Sequence, residues 1–256
     1  MDDSDKLIQQ QFGAHANDYA TSEVHAKGAS LQRLVELTQP QRDWVMLDVA
    51  TGAGHTALAV APHVARVVAT DLTPQMLDAA RKLTSERGIT NIEFKPADAQ
   101  HLPFEDSTFD LVTSRIALHH YPDARKAIEE MARVCRRGGI VALTDNIVPP
   151  DKVAAGYINH FEKTRDPSHN WEYPIARLEA YFADTKLKVE HSESFGKEME
   201  FEPWADRTSA TPETKAKLRK MLLDAPEAVR EFLKPRVDGD KLFFALHEAI
   251  IVGRKE

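Results

Sequence analysis

The sequence predicts an α/β fold: a mostly parallel sheet of seven strands, helices on both faces, and a helical cap inserted before the last strand. Two observations carry this expectation. Between residues 44 and 146, short β-branched runs alternate with longer amphipathic ones, the pattern of a parallel sheet covered by helices. After residue 146 the rhythm changes, and two more extended runs enclose a mostly helical stretch.

In chain order, Leu31, Leu34, Val35 and Leu37 fall at helical spacing, so the first forty residues read as one or two helices lying over the site. Five strands are expected at WVMLDVA (44–50), RVVATD (66–71), NIEFKP (91–96), FDLVTS (109–114) and GIVALTDN (139–146). Between them, PQMLDAARKLTSERG places Met76, Leu77, Ala80 and Leu83 on one helical face. DARKAIEEMARVCRRGG reads as a helix stopped by its glycines, with Arg133, Arg136 and Arg137 complementing its C-terminus. Residues 147–172 form an irregular or helical insertion rich in Pro, His and aromatics. KLKVEHSESF (186–195) and KLFFALHEAIIVGRK (241–255) are the closing strands, and Pro212 and Pro226 mark helix starts between them.

The chain has 256 residues, 42% of them hydrophobic and 29% charged, the composition of an ordinary globular protein. Its single cysteine, Cys135, rules out a disulfide framework and suits a reducing compartment. MDDSDKLIQQQFG is acidic and polar, unlike a secretory signal, and no apolar run reaches the ~20 residues of a membrane span. A cytoplasmic location is the expectation. The net charge of −7, 33 basic against 40 acidic residues, argues against a nucleic-acid substrate. His160, His169 and His191 are scattered, and without HxH or HExxH spacing no metal site is expected.

The turn after the first strand is DVATGAGHT, Asp48 to Thr56. Gly52 and Gly54 tolerate unusual backbone angles and let a ligand approach the main chain, while the next helix offers free N–H groups. Gly52 to Ala57 fits the dinucleotide fingerprint, and Asp71 stands where an acid would hold ribose hydroxyls. A plain glycine turn is the competing reading of this motif. Asp48 adds a constraint, because a carboxylate buried in the first strand needs a partner, and a cationic ligand group would serve. Asp98, in PADAQHLPFEDSTFD, is placed to accept from an adenine amino group, with the Ala99 N–H at a ring nitrogen. Together the acids suit a ligand with an adenosine, a cationic end and no phosphate.

These segments resemble the class I S-adenosylmethionine-dependent methyltransferases. The matching residues are LDVATGAG, VVATDLTPQML, PADAQHLPFEDSTFDLV, SRIALHHYPD and ARVCRRGGIVALTDN, in that order from about Val45 to Asn146. Within the class the chain is similar to small-molecule enzymes of the ubiquinone/menaquinone C-methyltransferase type and their uncharacterised bacterial relatives, which EKTRDPSH and WADR also resemble. The resemblance implies a Rossmann-like fold, S-adenosylmethionine as cofactor with S-adenosylhomocysteine as product, and a small-molecule acceptor methylated at carbon or oxygen. It divides the chain into an N-terminal helical lid (1–40), a cofactor-binding core (41–146), and the rest of the sheet with acceptor-site insertions at 147–172 and 196–240.

By the same resemblance, Gly52, Ala53 and Gly54 lie against the cofactor, Asp71 binds the ribose, Leu72 and Met76 border the adenine, and Asp98 and Ala99 read its edge. Asp48 and Arg115 stand at the methionine end, and Tyr19 and Lys27 reach the cofactor from the lid. His119 and His120 follow the fourth strand at the edge nearest the transferred methyl, where a histidine can take a proton. No partner that would orient either imidazole is evident. Trp171, Tyr173, Phe195, Phe201 and Trp204 are expected to line an apolar acceptor pocket. The competing readings are a non-catalytic S-adenosylmethionine-binding or regulatory protein and a nicotinamide-dependent oxidoreductase.

Overall fold

The structure, a computed structural model, describes residues 3–21 and 28–256. One sheet runs through the molecule in the order β3-β2-β1-β4-β5-β8-β6. Its parallel half comprises β1 (Val45–Val49), β2 (Arg66–Asp71), β3 (Ile92–Pro96), β4 (Phe109–Arg115) and β5 (Cys135–Ile147). Two long strands, β6 (Leu187–Glu200) and β8 (Lys241–Lys255), complete it, with β8 antiparallel to both of its neighbours. Besides the seven expected strands there is a short eighth, β7 (Arg236–Asp238), which forms a hairpin with the start of β8.

β1 is apolar on both faces apart from Asp48, as a central parallel strand must be when helices cover both sides. The chain moves outward from β1 to β3, then returns to add β4 on the other side of β1. That reversal opens a crevice beyond the carboxyl ends of β1 and β4, the usual ligand position in open α/β sheets.

Two helices precede the sheet, α1 (Asp3–Thr21) and α2 (Ala29–Thr38). They do different work. Leu34 of α2 is fully buried in a cluster with Met46, Ile140 and Ile250, so α2 covers the sheet. Only α1 lies over the crevice, placing Ala16 with Met76 and Ala79 and bonding Gln9 Nε2 to the Leu72 carbonyl at 2.8 Å. The expected lid over residues 1–40 therefore divides at the sheet face.

α3 (His55–Val60) follows the glycine turn, and α4 (Pro74–Glu86) starts with proline in its first turn and buries Met76, Leu77 and Ala80. α5 (Ala124–Val134) is capped by the Asp123 carboxylate, which accepts the Lys126 N–H at 2.9 Å. It stops at Val134, well before the glycines. From Cys135 the chain is already strand, with a shift of register between Phe109 and Leu111, and Arg136 Nε pairs with Asp110 at 2.5 Å. The Arg136–Arg137 pair thus belongs to β5 and not to a helix end. Gly139 is required there, since a Cβ would come within 2.9 Å of the Asp110 carbonyl.

Most of insertion 147–172 is a helix, α6 (Lys152–Arg165), capped by Asp151; α7 (Ile175–Asp184) then leads into β6. β6 runs on past Phe195 to Glu200, so Lys197 and Met199 are strand residues paired with β8, not part of the cap. The cap proper is α8 (Phe201–Asp206), α9 (Pro212–Leu223) and α10 (Glu227–Leu233), gathered on Phe161, Trp204 and Phe244. Among the described residues, no helix is long and apolar enough to cross a membrane.

Candidate active site

A cavity opens beyond the ends of β1 and β4, under α1 and beside the cap. Asp48 sits at its base. Its carboxylate is almost fully buried and accepts the Thr51 and Thr113 hydroxyls, each at 2.6 Å. Thr113 faces Asp48 across the β1–β4 register, so the neighbouring strand itself supplies the compensation expected from a ligand. Burial still pushes the Asp48 carboxyl above the usual carboxylate range, and Arg115 works against it. Arg115 is in turn lowered by burial and donates from Nε to Thr56 Oγ1 at 3.1 Å.

At the next strand end, Asp71 accepts the Gly52 N–H through Oδ2 and the Thr73 N–H through Oδ1, both at 2.8 Å. The acid assigned to ribose thus also ties the glycine turn to the end of β2. Gly52 has φ of +54°, and a Cβ placed on it would meet nothing within 4 Å. Gly54 differs. It stands off the cavity wall, and its Cβ would lie 3.1 Å from that of Ala80, so it serves helix packing. Ala53, Leu72, Met76, Asp98 and Ala99 line the cavity. Burial alone would raise the Asp98 carboxyl, but hydrogen bonds from His101 and the Gln100 N–H, both at 2.8 Å, outweigh it and hold it low.

The fourth wall is a short turn after β4 carrying His119 and His120, both buried, their rings 4.1 Å apart. His119 Nδ1 is 2.5 Å from Asp145 Oδ1, and its backbone N–H reaches the other carboxylate oxygen at 3.2 Å. Burial lowers the His119 pKa, but the Asp145 charge overrides it and the imidazole is pushed up to about 9. His120 Nδ1 faces the Ser168 carbonyl at 3.2 Å; a carbonyl only accepts, so Nδ1 carries the hydrogen and Nε2 the lone pair. Burial, and then the charge of His119, push His120 down to about 4. At neutral pH one ring is therefore charged and its neighbour is not.

A family model described as a methyltransferase domain matches residues 47–143. Over 246 residues, 95% of this chain and 97% of the relative, the chain is 30% identical to the uncharacterized methyltransferase YcgJ of Bacillus subtilis strain 168. The chain belongs to the class I S-adenosylmethionine-dependent methyltransferases. The solved structure of YcgJ matches this methyltransferase with a TM-score of 0.85, covering 89% of this chain and 98% of that one. A putative methyltransferase of Bacillus halodurans C-125 matches equally well, at 33% identity and TM-score 0.85, over 89% and 99% of the two chains. A demethylmenaquinone methyltransferase of Thermus thermophilus is 37% identical over 136 residues, 51% of this chain and 61% of that one.

As a class I S-adenosylmethionine-dependent methyltransferase the protein takes S-adenosylmethionine as cofactor, and the cavity fits it on its own terms. Gly52 leaves open space where a side chain would stand, and buried acids wait at two strand ends. Lys27 and the Tyr19 side chain lie outside the described residues. From α1, Ile8 and Phe12 reach the cavity, with Phe12 edge-on to His120 at 4.9 Å.

Of the five aromatics expected around the acceptor, only Trp204 lines the cavity. Phe201 is buried in the cap core, Tyr173 packs on Tyr181, Phe195 joins the sheet cluster, and Trp171 is 41% exposed. Sequence reasoning missed Asp145 and the Asp166–Ser168 pair. The signal for Asp145 was its place at the carboxyl end of β5, next to the strand end that carries the histidines. His169 is also less isolated than expected, its ring 5.6 Å from that of His119 and its Nε2–H donated to Asn159 at 2.9 Å. Among the described residues, no three His, Cys, Asp or Glu side chains are grouped to hold a metal ion.

Proposed function

We propose that this methyltransferase alkylates a small-molecule acceptor at oxygen or at an activated carbon, with His119 and His120 dividing the proton work. The observation that carries the reading is the unequal histidine pair on the cavity wall. Two titratable groups whose surroundings drive their pKa values apart mark an acid and a base.

Bound S-adenosylmethionine would supply an electrophilic methyl group, its methyl–sulfur bond breaking to leave S-adenosylhomocysteine. The chain's task is to hold the acceptor in line with it, exclude water and remove one proton. Gly52, Ala53 and the Asp71 carboxylate hold the cofactor, Leu72 and Met76 border its adenine, and Asp98 and Ala99 meet the adenine edge. Asp48 and Arg115 set the field at the methionine end. The acceptor loses a proton from O–H or C–H to His120 Nε2 as its new bond to carbon forms. His119, kept protonated by Asp145, donates to the acceptor's oxygen and stabilises negative charge developing there. Orientation of this kind lowers barriers by ~7–11 kcal/mol in favourable cases. α1 acts as the lid, and the chain works without nucleic acid and in the cytoplasm, in keeping with its acidic balance and single buried thiol.

The test is incubation with methyl-tritiated S-adenosylmethionine and a bacterial extract, followed by separation of small molecules from macromolecules. Label in the small-molecule fraction, reduced ~10²–10⁴-fold by His120→Ala, is the expected result. Label confined to protein or nucleic acid would refute the reading.

A further inference from the structure

The segment EKTRDPSH, residues 162–169, ends α6 and packs against the histidine turn. Asp166, Pro167 and Ser168 form a turn that their own side chains dictate. The Asp166 carboxylate accepts the Ser168 N–H through Oδ1 at 2.8 Å, its carbonyl accepts the His169 N–H at 3.0 Å, and proline presets the angle between them. Just beyond, the Asn170 and Trp171 N–H groups donate to the His119 carbonyl at 2.8 and 3.0 Å. The segment is thereby fastened to the turn that carries both imidazoles.

Ser168 presents two oxygens to His120 Nδ1, its carbonyl at 3.2 Å and its hydroxyl at 3.3 Å. A carbonyl only accepts, whereas a hydroxyl accepts or donates according to where its single hydrogen points. That hydrogen is committed elsewhere, because Ser168 Oγ lies 2.6 Å from Asp166 Oδ1 and a carboxylate is the stronger acceptor. Both oxygens at Nδ1 are then acceptors, so Nδ1 holds the ring's hydrogen and Nε2 the lone pair. Asp166, Ser168 and His120 are all buried, which keeps water from competing. We propose that Asp166 is a positioning residue: through the Ser168 hydroxyl it fixes the tautomer of His120 and leaves Nε2 able to take the acceptor's proton. Without the carboxylate the Ser168 hydroxyl is free to turn and donate to Nδ1. The ring's hydrogen then sits on Nε2, and the base is lost. The proposal rests on the reading of His120 as the base and names the group that keeps it in working form.

Nitrogen NMR of the full-length protein with ¹⁵N-labelled histidine, near neutral pH, tests it, since a ring nitrogen bearing hydrogen and one bearing a lone pair have widely separated shifts. His120 is identified by the signals lost in His120→Ala. The wild type is expected to carry the hydrogen on Nδ1. In Asp166→Ala it is expected to move to Nε2, and label transfer to small molecules to fall by about tenfold or more, part of the ~10²–10⁴ that a general base contributes. Asp166→Asn keeps an acceptor oxygen for the Ser168 N–H and hydroxyl and is expected to restore both the tautomer and the transfer. Hydrogen on Nε2 in the wild type, an unchanged tautomer in folded Asp166→Ala, or Asp166→Asn as impaired as Asp166→Ala overturns the proposal. A tautomer that moves while label transfer holds supports Asp166 in its role and refutes His120 as the base, so the two failures read apart.

Discussion

The histidine pair is where single residues decide the chemistry. If His119 must be charged and His120 neutral, methyl transfer holds level across the neutral range. It falls on the alkaline side as His119 loses its proton near 9, and on the acid side as His120 gains one near 4. Asp145→Asn removes the largest charge that raises His119, leaving burial opposed by Glu172 and Glu162, so the alkaline limb moves down toward neutrality. Initial rates of both proteins from about pH 5 to 10 check this, and an unmoved limb would separate Asp145 from the mechanism. The same pair bears on stability. A histidine raised in the folded state stabilises fully below its unfolded pKa, near 6.5, and that contribution is lost as pH rises through about 9. Breaking a buried pair costs about 3–5 kcal/mol, so Asp145→Asn is expected to lose that much near pH 6 and less above 9, by urea denaturation. The two glycines of the turn separate just as sharply. Gly52→Ala puts a methyl into open cavity at φ +54°, so affinity for S-adenosylhomocysteine should fall beyond the ~1 kcal/mol of backbone strain. Gly54→Ala meets Ala80 at 3.1 Å and should lose stability with little specific effect on affinity. Calorimetry beside denaturation on both variants tells the cases apart.

Among the elements, α1 and α2 make the clearest contrast. α1 touches the body through Gln9, Phe12 and Ala16 around the cavity, whereas α2 drives Leu34 into the sheet and pairs Arg33 with Glu193 at 2.8 Å. Removing residues 1–21 is therefore expected to leave a folded sheet, weaken cofactor binding, and speed hydrogen exchange at the amides around Gly52. Global unfolding on truncation would make α1 core and end its role as a lid. Leu34→Ala in α2 should instead destabilise the whole molecule by about 2–5 kcal/mol, the range for a buried leucine. The long apolar strands and the amphipathic α4 were legible because their periodicity is strong. The end of α5 was not, because CRR continues a helical pattern and only the pairing of Cys135 with Phe109 of β4 makes it strand. β6 ran past its expected end for a similar reason. Lys197 and Met199 alternate like a strand only when β8 is there to pair with them.

At the scale of the whole molecule, one reversal of strand order brings together residues far apart in the chain. Asp48, Asp71, Ala99 and His119 reach one cavity because the ends of β1 to β4 converge there. The cofactor half of the site was readable from sequence, since its residues lie at or shortly after strand ends in short, ordered stretches. The rest of the cavity lining was not. It comes from α6, β6, α8 with the residue after it, and β8, so no local pattern marks Arg165, Lys197 and Arg207 as lining one cavity, while the aromatics that looked like a pocket are mostly spent on packing. The central claim is methyl transfer to oxygen or carbon of a small molecule held in this cavity. Its most direct test is incubation with S-adenosylmethionine carrying a ¹³C methyl group and a bacterial metabolite extract, followed by carbon NMR of the small-molecule fraction. The account predicts a new O-methyl or C-methyl resonance that vanishes in His120→Ala. A label found only as N-methyl or S-methyl, or only in macromolecules, would contradict it.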